Sequence, residues 1–494
     1  MKYTSIMLYA AAVLTIAAVG GCTDSAPSGP APSLGSVKVN KYVAIGNSLT
    51  AGYQSNGWYE SAQIYSFPNQ IAQQLTASGA QIGKFEQPIW SDPGTPDPAT
   101  GKASRYEIIS LGNPIVIGPK GLTMGAPTNV TLARPYDNLG IPGLVIASFM
   151  DETNFTKNPL VDATLRSAAG FPKSVYGHVS VLASAPATKP DLVTFWLGNN
   201  DVLGFATSGG VSPKAPTDAA VFAALYTTAL TNLRALLPDA KILVATIPDV
   251  RAIPFFTTIG PKMAAGIAGA KALNPAITGM YYQKHGETGM GTGLTSLNAA
   301  GDVMITLTGS PYATKLGMPT GAWYANNKKI YPALPPGIDT TKAFGFDPRN
   351  PWPDALVLDA SEQATAGNAL ASFNATIKSV AASKSAAVVD MNEFFNGIKA
   401  NGITFAGEKF TTEYVSGGLF SLDGVHPSSK GAAIVANEFI RVMNASFGMN
   451  VSYADVSKVP GIPAPLAKYA NGAIVPTISF ESMRSLVNLM GGKF

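Results

Sequence analysis

Short apolar runs alternate with segments of helical spacing along most of the chain. Tyr42-Val43-Ala44-Ile45 is continuously apolar and stops at Gly46, the pattern of a strand buried on both faces of a parallel sheet. Asp191 to Leu197, Lys241 to Ile247 and Ala386 to Asp390 read the same way. A further strand is expected just before Asn138-Leu139-Gly140-Ile141-Pro142-Gly143, read as a glycine turn. Between these runs, Ser66-Phe67-Pro68 opens a helix ending near Gly79, with proline at its start. Val221, Leu225, Leu230, Leu233 and Leu236 recur at helical spacing between Asp218 and Leu237,. Two more helices are expected, from Asp359 to Ala382 with Ser361 as its cap, and from about Lys430 to Met443,. Strands alternating with helices imply an α/β fold, a doubly wound and mostly parallel sheet.

Two stretches break the rhythm. Residues at about 85–130 and 251–350 carry glycine, proline and scattered aromatics with no lasting period. Both return to the same sheet, so the expectation is one core domain, 38–447, with the insertions as a cap over its site. Residues 448–494 form a tail to which no role is assigned.

Composition suggests a protein outside the cytoplasm. Of 494 residues 46% are hydrophobic and only 13% charged, with 50 Gly and 37 Pro, which suits a loop-rich globular protein and not a disordered one. The net charge is +4 without any lysine or arginine run, so nucleic acid is not an expected partner. Residues 1–21 read as a signal peptide: Lys2, then an apolar stretch from Ile6 to Val19 too short to span a bilayer,. Val19-Gly20-Gly21-Cys22 resembles the lipobox of bacterial lipoproteins; an ordinary secretory signal with a chance cysteine is the alternative. As the one cysteine, Cys22 cannot form an intrachain disulfide,. The expectation is a lipid-anchored protein of the bacterial cell envelope, probable site the outer membrane, held through acylated Cys22 by a flexible tether over 22–37.

The candidate chemistry begins at Gly46-Asn47-Ser48-Leu49. Ser48 follows the first strand, where open α/β sheets keep their active sites; a bland alternative is that Ser48 or Thr50 merely caps the next helix. A serine hydroxyl needs a base, and the chain has three histidines, His178, His285 and His426. His426 stands three residues after Asp423 in a glycine-containing turn, a spacing that lets a carboxylate orient an imidazole. His178 and His285 keep a structural reading. An acyl-transfer oxyanion needs donors: the backbone amides of Ser48 and Gly143 and the side chain of Asn200, in Gly198-Asn199-Asn200-Asp201, could supply them. Asn199 and Asn200 could equally serve only to build a turn.

Gly46 to Leu49, Asn138 to Gly143, Gly198 to Asp201 and Asp423-Gly424-Val425-His426 stand in the order of the four blocks of the SGNH hydrolases, or GDSL lipases and esterases, and together resemble that family. The resemblance implies a flavodoxin-like sheet and ester hydrolysis with neither metal nor organic cofactor. It implies Ser48 as nucleophile, His426 as base and Asp423 as its orienting acid. Ser48, Gly143 (Gly140 in a less favoured alignment) and Asn200 would form the oxyanion hole. Asn47 departs from the family's usual aspartate, and Thr50 makes the α/β-hydrolase elbow a poorer fit. A small-molecule or lipid ester is the expected substrate. Sugar O-acetyl esters are the rival class, and a non-catalytic glycan- or lipid-binding lipoprotein is the rival function. Tyr281, Tyr282, Trp323, Tyr324 and Trp352 suit either acyl binding or a plain core,.

Overall fold

A computed structural model describes residues 31–98, 100–110, 115–153, 159–166, 169–298, 302–462 and 476–493. The expected signal peptide and Cys22 lie outside the described residues.

Five strands form the central sheet: β1 (Tyr42–Gly46), β2 (Asn138–Gly140), β3 (Leu192–Trp196), β4 (Lys241–Ala245) and β5 (Ala387–Val389). They run in the order β5-β4-β3-β1-β2, with every pairing parallel. This is the flavodoxin-like order. The glycine turn of the sequence reading is itself part of the sheet: Asn138–Gly140 is the strand, and the turn starts at Ile141. Gly46 is level with Gly140 on one side and Trp196 on the other. The loops after β1, β2 and β3 therefore leave the sheet in one row. The chain reverses its direction of winding between β1 and β3, the place where such sheets bind ligands.

Helices cover both faces: α1 (Ser48–Ala51), α2 (Phe67–Ala77), α3 (Asn200–Thr207), α4 (Ala219–Leu236), α5 (Ala360–Ser383), α6 (Ser429–Phe447) and α7 (Phe480–Leu489). Successive side chains of β3 point to opposite faces. Trp196 packs against Phe67 of α2 and Phe439 of α6, while Phe195 packs against Tyr226 of α4. Phe222 of α4 stacks on Phe373 of α5 at 4.0 Å between centroids. That two-sided burial is why β1 and β3 read as unbroken apolar runs. At the start of α5 the cap is Asp359, not Ser361. Asp359 accepts the amides of Ser361 and Glu362, and Glu362 reaches back to the Asp359 amide, a capping box,.

The stretches without an expected structure are partly ordered. The first insertion holds an antiparallel pair, Tyr106–Ser110 with Val116–Pro119, and the second holds a helix, Ile259–Leu273. The segment after residue 447 is not an appendage. Thr477–Ile478 pairs in parallel with Val116–Ile117, and α7 buries Met483, Leu486 and Val487 completely. The tether reading also extends too far. Ser33 exchanges two backbone hydrogen bonds with Asn450, at 3.0 and 2.9 Å, so the chain is docked from Ser33 and not from residue 38.

Candidate active site

Gly46 ends β1 because α1 folds back over it. A Cβ there would lie 2.0 Å from Thr50 Oγ1 and 2.9 Å from the Trp196 carbonyl oxygen, so only glycine permits the turn. Asn47 caps α1, its Oδ1 accepting the Leu49 amide at 3.0 Å. Ser48 is thus relieved of the capping role, and its hydroxyl is free to turn elsewhere.

It turns to His426. Ser48 Oγ lies 2.9 Å from His426 Nε2, and His426 Nδ1 lies 2.9 Å from Asp423 Oδ2. An ionised carboxylate only accepts hydrogen bonds, so Nδ1 carries the proton and Nε2 is left to accept from the Ser48 hydroxyl. Asp423 is fully buried. Its Oδ1 accepts the amides of Val425 and His426, and its Oδ2 accepts the amide of Asn56, each at 2.9 Å. Burial alone would raise this carboxyl. Electrostatic attraction to the adjacent His426 ring and its hydrogen bond, together with the backbone amides, outweigh it and hold Asp423 below the ordinary carboxylate range,. The ring of Tyr53 packs against the imidazole at 5.0 Å.

Asn56 and Ser55 had no signal in the sequence. Both sit in the left-handed region, with φ of 55° and 51°. Ser55 donates its amide to Ser421 Oγ and accepts the Leu422 amide on its own Oγ, so this loop clasps the turn that carries Asp423. Strained backbone held by its surroundings is common at working sites.

The oxyanion candidates lie on the loops after β1, β2 and β3. Ser48 opens α1, where first-turn amides have no intrahelical acceptor. The Gly143 amide, at a φ of +81°, makes no hydrogen bond among the described residues. Asn200 opens α3 and donates one Nδ2 hydrogen to the Leu144 carbonyl at 3.0 Å, which leaves its second hydrogen. Asp201, quoted in its motif but given no role from sequence, ties the same loop. Its Oδ2 accepts the Ile146 amide at 3.0 Å and its Oδ1 accepts the Thr217 hydroxyl at 2.9 Å. Burial raises its carboxyl to about 6.

A cavity of about 60 Å³ is lined by Ser48, Asn200 and His426 and by apolar side chains including Trp196, Ile247, Phe395 and Phe420; Gly143 is not among its lining residues. Among the described residues the first insertion contributes none of its walls, and the second contributes only Ala252 and Ile253. The expected cap is therefore absent from this cavity. Tyr282, Trp323, Tyr324 and Trp352 are buried in the core. His178 lies inside the helix Val175–Ala183, fully buried, its Nε2 donating to the Pro172 carbonyl. His285 pairs with Glu362 at 2.9 Å. Among the described residues no group of three or more His, Cys, Asp or Glu side chains could hold a metal ion.

A family model, GDSL-like Lipase/Acylhydrolase, matches residues 42–288. The match includes Ser48, Gly143 and Asn200 and stops before Asp423 and His426. No curated protein matches the chain. Solved structures similar to it include a variant acetyl xylan esterase from Geobacillus stearothermophilus, 12% identical, covering 84% of this chain and 98% of its own with a TM-score of 0.32. A protein described as a GDSL-like lipase from Parabacteroides merdae is 12% identical, covering 84% and 99%, with a TM-score of 0.31. A Clostridium thermocellum family 3 carbohydrate esterase is 14% identical, covering 48% and 70%, with a TM-score of 0.19.

Proposed function

The chain belongs to the GDSL-like lipase/acylhydrolase family and is a carboxylic ester hydrolase; from that premise we propose that it works through Ser48, His426 and Asp423 on esters of short acyl groups. The observation that carries this reading is the unbroken hydrogen-bonded series from Ser48 Oγ through both imidazole nitrogens to Asp423. His426 Nε2 takes the hydroxyl proton as Ser48 attacks the ester carbonyl. The oxyanion is held by the amides of Ser48 and Gly143 and by the side chain of Asn200. His426 then gives its proton to the leaving alcohol. Water, deprotonated by the same imidazole, attacks the acyl-serine and releases the acid. Asp423 fixes the tautomer and offsets the imidazolium charge throughout.

The cavity supports a short acyl group. About 60 Å³ holds only a few water-sized groups, at roughly 10–15 Å³ each, enough for a chain of a few carbons against apolar walls. The same size admits the acetyl group of a sugar ester, which is the second reading of the substrate. A purely binding protein has no need of the proton relay. Turnover of p-nitrophenyl esters of rising chain length, measured beside Ser48→Ala, tests the reading. The expected optimum is at short acyl chains, with turnover lost in the variant. Equal turnover by Ser48→Ala would sink the proposal.

Residues 1–21 as a lipoprotein signal, acylated Cys22, a membrane partner and a cell-envelope location complete the proposal. The catalytic unit includes the segment docked at Ser33 and residues 476–493 of the tail.

A further inference from the structure

The segment that the sequence left without a role lies against both elements that carry the oxyanion candidates. A Cβ on Gly143 would fall 2.7 Å from the Leu489 carbonyl oxygen. On Gly204 it would fall 2.8 Å from the Met490 carbonyl oxygen, 2.9 Å from the Gly491 carbonyl carbon and 3.1 Å from the Gly492 nitrogen. From the opposite side, a Cβ on Gly492 would fall 2.7 Å from the Gly204 carbonyl oxygen and 3.2 Å from Ser208 Cβ. The Lys493 amide donates to the Ser212 carbonyl at 2.7 Å, just past the end of α3. Backbone therefore packs directly on backbone, and glycine on both sides is what allows it.

The position matters because Gly204 is four residues after Asn200 in α3, on the same face of that helix. A shift imposed at Gly204 is carried along a rigid turn to Asn200. The β2 loop and α3 are already laced together by Asn200 to Leu144 and by Asp201 to Ile146. Residues 489–492 span the same pair of elements by contact, Leu489 at the loop and Met490 to Gly492 at the helix.

We infer that Leu489–Gly492 is a positioning segment for the oxyanion hole, a brace that fixes the spacing between the Gly143 amide and the Asn200 side chain. This rests on the roles proposed above for those two residues. Oxyanion donors act within a narrow range of distances, about 2.7–3.1 Å, and misplacement by about 1 Å can cost about a hundredfold.

The test opens the seam without touching either donor. Gly204→Ala, in the full chain, is measured for kcat and KM on p-nitrophenyl acetate, for melting temperature, and for inhibition by a short alkylboronic acid. The boronate adduct of Ser48 presents a tetrahedral oxygen where the intermediate carries its charge. The expected result is a fall in kcat of about tenfold or more, an inhibition constant raised in parallel, KM within about twofold, and a melting temperature lowered by the overpacked seam with the protein still folded. Gly492→Ala opens the seam from the tail side and is expected to repeat the pattern; it decides the matter if Gly204→Ala does not fold. Wild-type kcat and inhibition in these variants overturn the brace. So does a fall in kcat with boronate affinity unchanged, which marks a general structural effect. Asn200→Ala, expected to lose about a hundredfold in kcat, is measured alongside. If it is impaired while the glycine variants are not, the brace alone fails. If Asn200→Ala retains full kcat, the oxyanion assignment fails and takes the brace with it.

Discussion

Serine is among the best helix caps, so a serine at the first position of a helix whose hydroxyl turns to a histidine needs a neighbour to take that task. Asn47 takes it through Oδ1 and the Leu49 amide. Aspartate, the usual residue of the resembling family, offers an acceptor oxygen in the same place. Asn47→Asp is therefore expected to keep stability and turnover, whereas Asn47→Ala loses the cap, about 1 kcal/mol of stability, and part of its turnover as Ser48 relaxes. Chemical denaturation and ester hydrolysis measure both; an alanine variant as stable and active as the parent would remove Asn47 from this account. The meeting of Ser48, Asp423 and His426 was legible in the sequence because each sits in a short motif at a strand end or turn. Asn56 was not, since it serves Asp423 through a backbone amide, and an amide has no residue-type signature.

Among the elements, those with strong periodicity were read closely. The helix expected between Asp218 and Leu237 is Ala219–Leu236, capped by Asp218. The helix Ile259–Leu273 went unread because Gly260, Gly266, Gly269 and many alanines blur its stripe of Ile259, Met263 and Ile267. The strand Tyr106–Ser110 is half exposed and leaves no continuous run. α7 did carry a stripe, Phe480, Met483, Leu486 and Val487, but nothing in the sequence showed what it packs on. The start of α5 has a consequence in pH. Burial raises Glu362 to about 8, against an ordinary value of 4.5. The folded chain thus binds this proton more tightly than the unfolded one. The resulting stability is whole below pH 4.5 and is lost as pH climbs through about 8,. Glu362→Gln keeps an acceptor for the Asp359 amide and a group to meet His285, yet cannot ionise. Melting curves from about pH 5 to 9 are expected to show the variant gaining on the parent as pH rises; a constant difference would contradict the assignment.

For the whole molecule, the docking of Ser33 on Asn450 shortens the proposed tether to the ten residues between Cys22 and Ser33, eleven Cα–Cα steps. Fully extended, such a segment reaches at most about 40 Å, at roughly 3.6 Å per residue. The catalytic unit would then work close to its membrane. Cys22→Ser is expected to move the protein from the membrane to the soluble fraction on cell fractionation with ester turnover intact; retention in the membrane would refute the anchor.

The hydrogen bond between Ser48 and His426 joins residues 378 positions apart. β1 takes its two sheet partners from β2 and β3, far along the chain, and Asp423 waits for the Asn56 amide across a similar gap. A polypeptide with such distant pairings closes its long loops late in folding. Helices such as α4 and α5 can form while the chain is still catalytically silent. Recovery of turnover on refolding therefore comes after recovery of helical signal, and enzymatic activity is a stricter witness to the native state than secondary structure.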